Sequence, residues 1–264
     1  MSDGEHLIVE RDGHILTVTL NRPEAKNAFS PRMLVAAADA WKLLDTDPEL
    51  RVGILTGAGG DFCSGMDLKA LAGGIDPDDQ ARMADDPDLH WKALLRHFRP
   101  SKPIIAAVEG YSVAGGTEIL QATEIRVAGE SARFGIAEVR RGLFPLGGST
   151  VRLQRQIAFT NAADLLLTGR LISAVEAKAM GLIGHVVPDG EALVKARELA
   201  DQIASNGPIA VAAVLKSIRE TAAMTEADGL AHELTIGWPV FATNDAKEGP
   251  TAFKEKRPAK FSGS

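Results

Sequence analysis

Two carboxylates of this chain lie where ionised groups are costly. Glu118 follows the run Ala114-Gly115-Gly116-Thr117 and leads into Ile119-Leu120, and Glu138 lies twenty residues later in the apolar stretch "FGIAEV". A charge removed from water is strongly disfavoured unless it is paired or neutralised. If the fold brings the two together, apolar walls and mutual repulsion push their pKa values apart. One then stays charged and the other keeps a proton, and the pair titrates as a unit. Such a pair can take a proton at one point and deliver one at another, the requirement of general acid–base catalysis. The alternative is structural: either glutamate can be the ion-pair partner of Arg133, Arg140 or Arg141.

A second chemical feature is repeated. Both "CSGMDLKAL" (63–71) and "VAGGTEILQA" (113–122) place glycine where a strand turns into a helix. The first N–H groups of a helix have no partner inside it, so such turns attract negative charge. Two of them facing one point hold a developing oxyanion, each donor being typically worth about 3 kcal/mol of barrier. Each turn taken alone also reads as an ordinary tight strand–helix connection.

The elements around these features alternate. "HILTVTLNRP" (14–23) reads as a strand, and Ser30-Pro31 starts a helix that runs through "RMLVAAADAWKLLDTD". "RVGILTG" is a buried strand, and "MDLKALAG" opens a helix with Asp67 in its first turn, where the helix dipole favours negative charge. Residues 73–90 are polar, acidic and broken by prolines, and read as a mobile insert or lid. "WKALLRHFR" reads as a helix, "KPIIAAVEGYSV" as one buried strand, and "IRVAGESARFGIAEV" as two strands around a turn. From about residue 160 helices dominate: "TNAADLLLTG" and "SAVEAKAMG" each close on glycine, and two longer helices follow before a kinked one over about 226–244. Alternating strands and helices indicate α/β.

Composition bounds the possibilities. With 264 residues, 45% hydrophobic and 24% charged, the chain suits one large soluble domain, or one domain with a helical appendage. The N-terminus is acidic and lacks the apolar stretch of a signal peptide, and no apolar run reaches the ~18 residues of a membrane span. Cys63 is the single cysteine, so no intrachain disulfide forms and a cytoplasmic location fits. A net charge of −6 argues against a nucleic-acid partner.

"FCSGMDLKAL", "GYSVAGGTEI", "ARFGIAEVRRGLFPLGGSTVRL", "AKAMGLIGHVV" and "EGPTAFKEKRPAKF" together resemble the crotonase, or enoyl-CoA hydratase/isomerase, superfamily, from about residue 7 to the C-terminus. The resemblance implies a crotonase-like spiral of ββα units over residues 1–200 and a helical trimerisation region over 201–264. It implies that the backbone N–H groups of Met66 and Gly115 hold a thioester carbonyl. Met66 replaces the family's common alanine, and Ala114-Gly115-Gly116 replaces a run of three glycines. Glu118 and Glu138 match the glutamates of the family's hydratases. Glu118 then acts as base toward water and Glu138 as acid at the α-carbon, the reverse assignment remaining open. Lys26, Asn27 and Ala28 are expected beside the nucleotide of CoA, and Met66, Asp67, Leu68 and Lys69 along its adenine and pantetheine. Phe253 and Lys256 are expected to reach CoA from a neighbouring subunit of a trimer or dimer of trimers. No metal and no cofactor beyond the CoA moiety of an acyl-CoA substrate is implied. Hydration of a 2-enoyl-CoA is the activity this points to. A Δ3-Δ2 enoyl-CoA isomerase, a thioester hydrolase and a non-catalytic acyl-CoA or RNA-binding member are the alternatives.

Other signals fail. There is no Walker loop, "GAGGDF" lacks the third glycine of a dinucleotide fingerprint, and no paired Cys or H-E-x-x-H motif marks a metal site. "GYSVA" nearly matches a nucleophile elbow around Ser112, but no histidine is marked as its base. Cys63 reads as a small buried thiol, and His232-Glu233 as a pair on a helix surface.

Overall fold

The computed structural model describes residues 5–67, 69–70 and 73–264. Six strands form the main sheet: β1 (Leu7–Asp12), β2 (Ile15–Leu20), β3 (Val52–Gly57), β4 (Ile104–Val108), β6 (Ile125–Gly129) and β9 (His185–Val187), in the order β1-β2-β3-β4-β6-β9. Only the β1–β2 hairpin is antiparallel; every later pairing is parallel. A smaller sheet stands beside it, in which β5 (Tyr111–Val113) pairs in parallel with β7 (Arg133–Gly135), and β7 pairs antiparallel with β8 (Ile172–Ser173).

The central strands are buried on both faces, and their side chains divide by alternation. Ile15, Val52, Ile54, Ile105, Ala107 and Val127 meet one face, where helix α8 (Ala192–Ala204) lays down Ala192, Ala196, Ala200 and Ala204. Alanine at every fourth position lets this helix approach the sheet closely. Leu16, Val18, Leu20, Leu55, Ala106 and Val108 meet the other face, packed on Met33, Leu34, Ala37, Trp41 and Leu44 of α1 (Pro31–Thr46). Helix α1 starts as expected: Ser30 Oγ accepts from Met33 N at 3.2 Å and Pro31 takes the first helical position.

Several expectations are corrected. Residues 73–90, expected as a mobile insert or lid broken by prolines, carry regular structure. They hold α2 (Pro77–Asp85), capped by Asp76 Oδ1 accepting from Asp78 N, and lead into α3 (Leu89–Ala93). The guanidinium of Arg82 forks onto Asp39 of α1, and Trp41 Nε1 donates to Ala93 O at 2.9 Å, so both helices are anchored on α1. Asp76-Pro77 is the same start signal as Ser30-Pro31, masked by the acidic composition around it. The helix expected over 91–99 ends at Ala93, because the chain reverses through Leu95 in the left-handed region (φ 54°). "KPIIAAVEGYSV" is two strands in two sheets, separated at Gly110 (φ 52°).

Helices α4 (Gly115–Leu120), α5 (Ser149–Gln156), α6 (Phe159–Thr168) and α7 (Ala174–Met180) surround the small sheet, and α6 and α7 close on left-handed Gly169 and Gly181 as expected. After α9 (Pro208–Thr221), helix α10 (Glu226–Gly237) stops at Gly237, and Trp238–Ala242 continue as a 3-10 turn instead of a kinked helix. A last helix, α11 (Asp245–Glu255), was not expected and carries Pro250 inside it. His232 pairs with Glu220 of α9 at 2.7 Å, not with Glu233. No helix among the described residues is long and apolar enough to cross a membrane.

Trp41 is fully buried and its indole satisfies a buried carbonyl. Trp41→Phe leaves Ala93 O without a partner and is expected to cost about 1–3 kcal/mol, read as a lower urea midpoint at unchanged slope.

Candidate active site

The two glycine turns meet. Gly65 (φ 97°) precedes Met66, whose neighbours are held by a bridge to Phe29: Phe29 N donates to Gly65 O at 2.8 Å and Asp67 N to Phe29 O at 3.0 Å. Ala114 adopts φ 50°, ψ −125°, a conformation that L-residues avoid, and its own N–H donates to Gly135 O at 2.8 Å. This strained residue ends β5 and starts α4 at Gly115. A Cβ added to Gly65 would lie 2.9 Å from Ala114 Cβ and 3.2 Å from Gly115 N, so the turns touch backbone to backbone. The N–H groups of Met66 and Gly115 have no protein acceptor among the described residues.

Glu118 rises from the first turn of α4 and is 5% exposed. Its Oε1 accepts from Ser149 N, at the start of α5, at 3.2 Å. Gly147 makes room for it: a Cβ there would lie 2.6 Å from Glu118 Oε2. Glu138 opens a 3-10 turn (Glu138–Arg141) just beyond β7 and is half-buried, with Oε2 buried and unpartnered. Burial pushes its pKa up to about 7, reinforced by the charge of Glu118 and partly offset by its own amide and Arg141. The ion-pair alternative is not realised: Glu138 makes no bond to an arginine among the described residues, and Arg133 spends its guanidinium on Ser131 O and Ala132 O.

Both glutamates, Met66 and Gly115 line one cavity of about 1090 Å³. Ala28, Asp67 and Lys69 line it too, as expected, while Leu68 lies outside the described residues. Asp67 Oδ1 accepts from Lys69 N and Ala70 N; the Ala70 amide, with Arg22, holds its carboxyl below the usual range. Lys26 is not on the wall: its ammonium pairs with Asp61 at 3.1 Å and lies 4.4 Å over the Tyr111 ring. Asn27 is fully buried and clamps Ala58 O, Asp61 O and Arg22 N. Phe253 and Lys256, near the end of α11, are outside the cavity wall of this chain, Phe253 being 87% exposed.

Sequence reasoning missed Arg22, His90 and Trp91, all on the wall. Arg22 donates to Asp67 Oδ2 and Ala28 O, but its sequence signal is only an arginine before a strand-ending proline. Ser112 is fully buried and off the wall, so nothing supports it as a nucleophile. Cys63 is buried, and burial pushes its thiol up to about 12.

The cavity wall thus holds the two glycine turns and both glutamates, and the match to known proteins is direct. The family model "Enoyl-CoA hydratase/isomerase" matches residues 10–264. The chain belongs to that family. It is 57% identical over 261 residues to enoyl-CoA hydratase EchA19 of Mycobacterium tuberculosis, covering 99% of this chain and 98% of that one. It is 38% identical to a carnitinyl-CoA dehydratase of Salmonella typhi over the whole of both chains. Among solved structures, an enoyl-CoA hydratase from M. tuberculosis H37Rv superposes with TM-score 0.90 at 41% identity, covering 99% and 100% of the two chains. Enoyl-CoA hydratase EchA1 of Mycobacterium marinum gives 0.89 at 44%, again covering 99% and 100%. The crotonase-type α/β fold expected from the motifs is thus this family member's fold, and the hydratase names of its relatives agree with the expectation of an enzyme of hydro-lyase type.

Because folded Glu138 keeps its proton to about pH 7 while the unfolded residue releases it near 4.5, stability is full below that window and falls as pH rises through it. Urea unfolding of wild type is expected to show this decline between pH 4.5 and 7. In Glu138→Gln, neutral at every pH, the decline should be smaller and stability at pH 8 higher.

Proposed function

We propose that this enzyme adds water reversibly across the 2,3 double bond of a 2-enoyl-CoA. The observation that carries the reading is one cavity wall holding two unengaged amides and two carboxylates, one of them with its pKa pushed up to about 7. The N–H groups of Met66 and Gly115 receive the thioester oxygen and draw electron density from the alkene. Glu118 acts as the base that takes a proton from water, and the oxygen adds to C3. Negative charge moves to the thioester oxygen, where the two amides stabilise it. Glu138 then gives its proton to C2, which yields the 3-hydroxyacyl-CoA; the two glutamates exchange protonation states and reset through solvent. The chemistry is proton transfer and electrostatics, so no cofactor beyond the CoA moiety of the substrate is called for.

In this reading Ala28 and residues 66–69 lie along CoA, and Lys26 exchanges Asp61 for a nucleotide phosphate. Residues 1–200 form the catalytic core. Residues 201–264 form a trimerisation region that brings Phe253 and Lys256 to a neighbour's CoA, in a trimer or dimer of trimers. Exposed Leu234, Trp238 and Phe241 support an apolar contact there. The lone buried thiol suits the cytoplasm.

Glu118→Gln and Glu138→Gln are each expected to lower kcat for hydration by about 10²–10⁴ with little change in KM, followed as loss of the conjugated thioester absorbance. Hydration near the wild-type rate in either variant would overturn the mechanism. For wild type, kcat/KM should fall above pH about 7, where Glu138 loses its proton. Formation of the 2-enoyl from a 3-enoyl-CoA without water addition would favour the isomerase instead.

A further inference from the structure

One polar group on the cavity wall has no part in the reaction. Helix α3 buries Leu89 and Ala93 in the core and leaves His90 and Trp91 on the wall. The His90 imidazole lies with its centroid 4.2 Å from that of the Trp91 ring, tilted by 47°, and makes no hydrogen bond among the described residues. Its surroundings keep it neutral: burial lowers its pKa, and the charges of His97 and Arg96 add to this against the pull of Asp88. That pull is divided, since Asp88 Oδ1 is engaged by His97 Nδ1 at 2.5 Å, and Arg96 sits 4.8 Å over the Trp91 ring. Several other polar groups of the wall are engaged. Arg22 and Asp67 hold each other, Ser64 Oγ donates to Ala25 O, and the glutamates serve the reaction.

A neutral imidazole offers one donor and one acceptor. Among Trp91, Leu94 and Leu34 on the same wall, it is a polar point in apolar company. We propose that His90 is a specificity-determining residue that hydrogen-bonds an oxygen substituent, hydroxyl or carbonyl, on the acyl group beyond the reacting alkene. This rests on the acyl-CoA reading of the cavity above. A plain alkyl chain leaves the imidazole buried and unpaired, and sites built around such a partner discriminate strongly against ligands that lack it.

The test uses the full-length enzyme and 2-enoyl-CoAs of six, eight and ten carbons, each with and without a keto group on the penultimate carbon. Their saturated counterparts serve for binding by titration calorimetry. At the length that reaches His90, wild type is expected to favour the keto form at least tenfold in both kcat/KM and Kd. His90→Phe should bring that ratio to about one. His90→Gln should restore part of the ratio. A keto-to-plain ratio that is near one in wild type at every length, or unchanged in His90→Phe, overturns the proposal. The Kd ratio decides this even if wild type hydrates none of the enoyl-CoAs, which would overturn the hydratase reading alone.

Discussion

Gly65 and Gly115 pack with no side chain between them, and the rest of the site depends on that contact. A Cβ at Gly65 would press on Ala114 Cβ and Gly115 N, and a Cβ at Gly116 would collide with Cys63 O. The approach places Met66 and Gly115 on the wall of the same cavity. It is held from outside by ladder bonds: Gly65 O to Phe29 N on one side, and Ala114 N to Gly135 O on the other. Ala114 sits at φ 50°, a strain of order 1–3 kcal/mol that surrounding structure must offset. The parallel pairing of Ser112 with Phe134 and Val113 with Gly135 does so, since the residues before Ala114 are locked in register.

The same pairing sets the glutamates. Glu118 stands one helical turn beyond Ala114, and Glu138 three residues beyond Gly135, so the β5–β7 ladder carries both carboxylates and one of the amides. Their environments then diverge. Glu118 receives the Ser149 amide at the start of α5, a stabilising partner for a negative charge. Glu138 has one carboxylate oxygen buried without a partner, which favours the neutral acid. One short ladder thus gives two chemically similar residues different surroundings.

Much of this was legible in the sequence because it rests on local rules. Glycine at strand–helix turns, Ser30-Pro31 as a helix start, and Gly169 and Gly181 as helix ends each follow from backbone sterics. The buried glutamates were legible because charge in apolar company is rare. What escaped depended on tertiary context. The helix Pro77–Asp85 has no fully buried residue and is held by Arg82 on Asp39, a partner 43 residues away. Helix Asp245–Glu255 carries Pro250 inside it, a residue that helix interiors disfavour. Lys26 looked available for a phosphate, but Asp61 and Tyr111 meet it in the fold. His90 carried no motif, and its place on the wall follows only from the way α3 docks on α1.

The central claim is that two backbone amides polarise a thioester carbonyl beside the glutamate pair. The vibrational spectrum of a 2-enoyl-CoA bound to the Glu118→Gln/Glu138→Gln double variant tests it most directly, because that variant retains both amides and cannot turn the substrate over. The account predicts that the thioester carbonyl stretch moves to lower frequency on binding and that the conjugated absorbance shifts to longer wavelength. A bound spectrum matching that of the free thioester would contradict it.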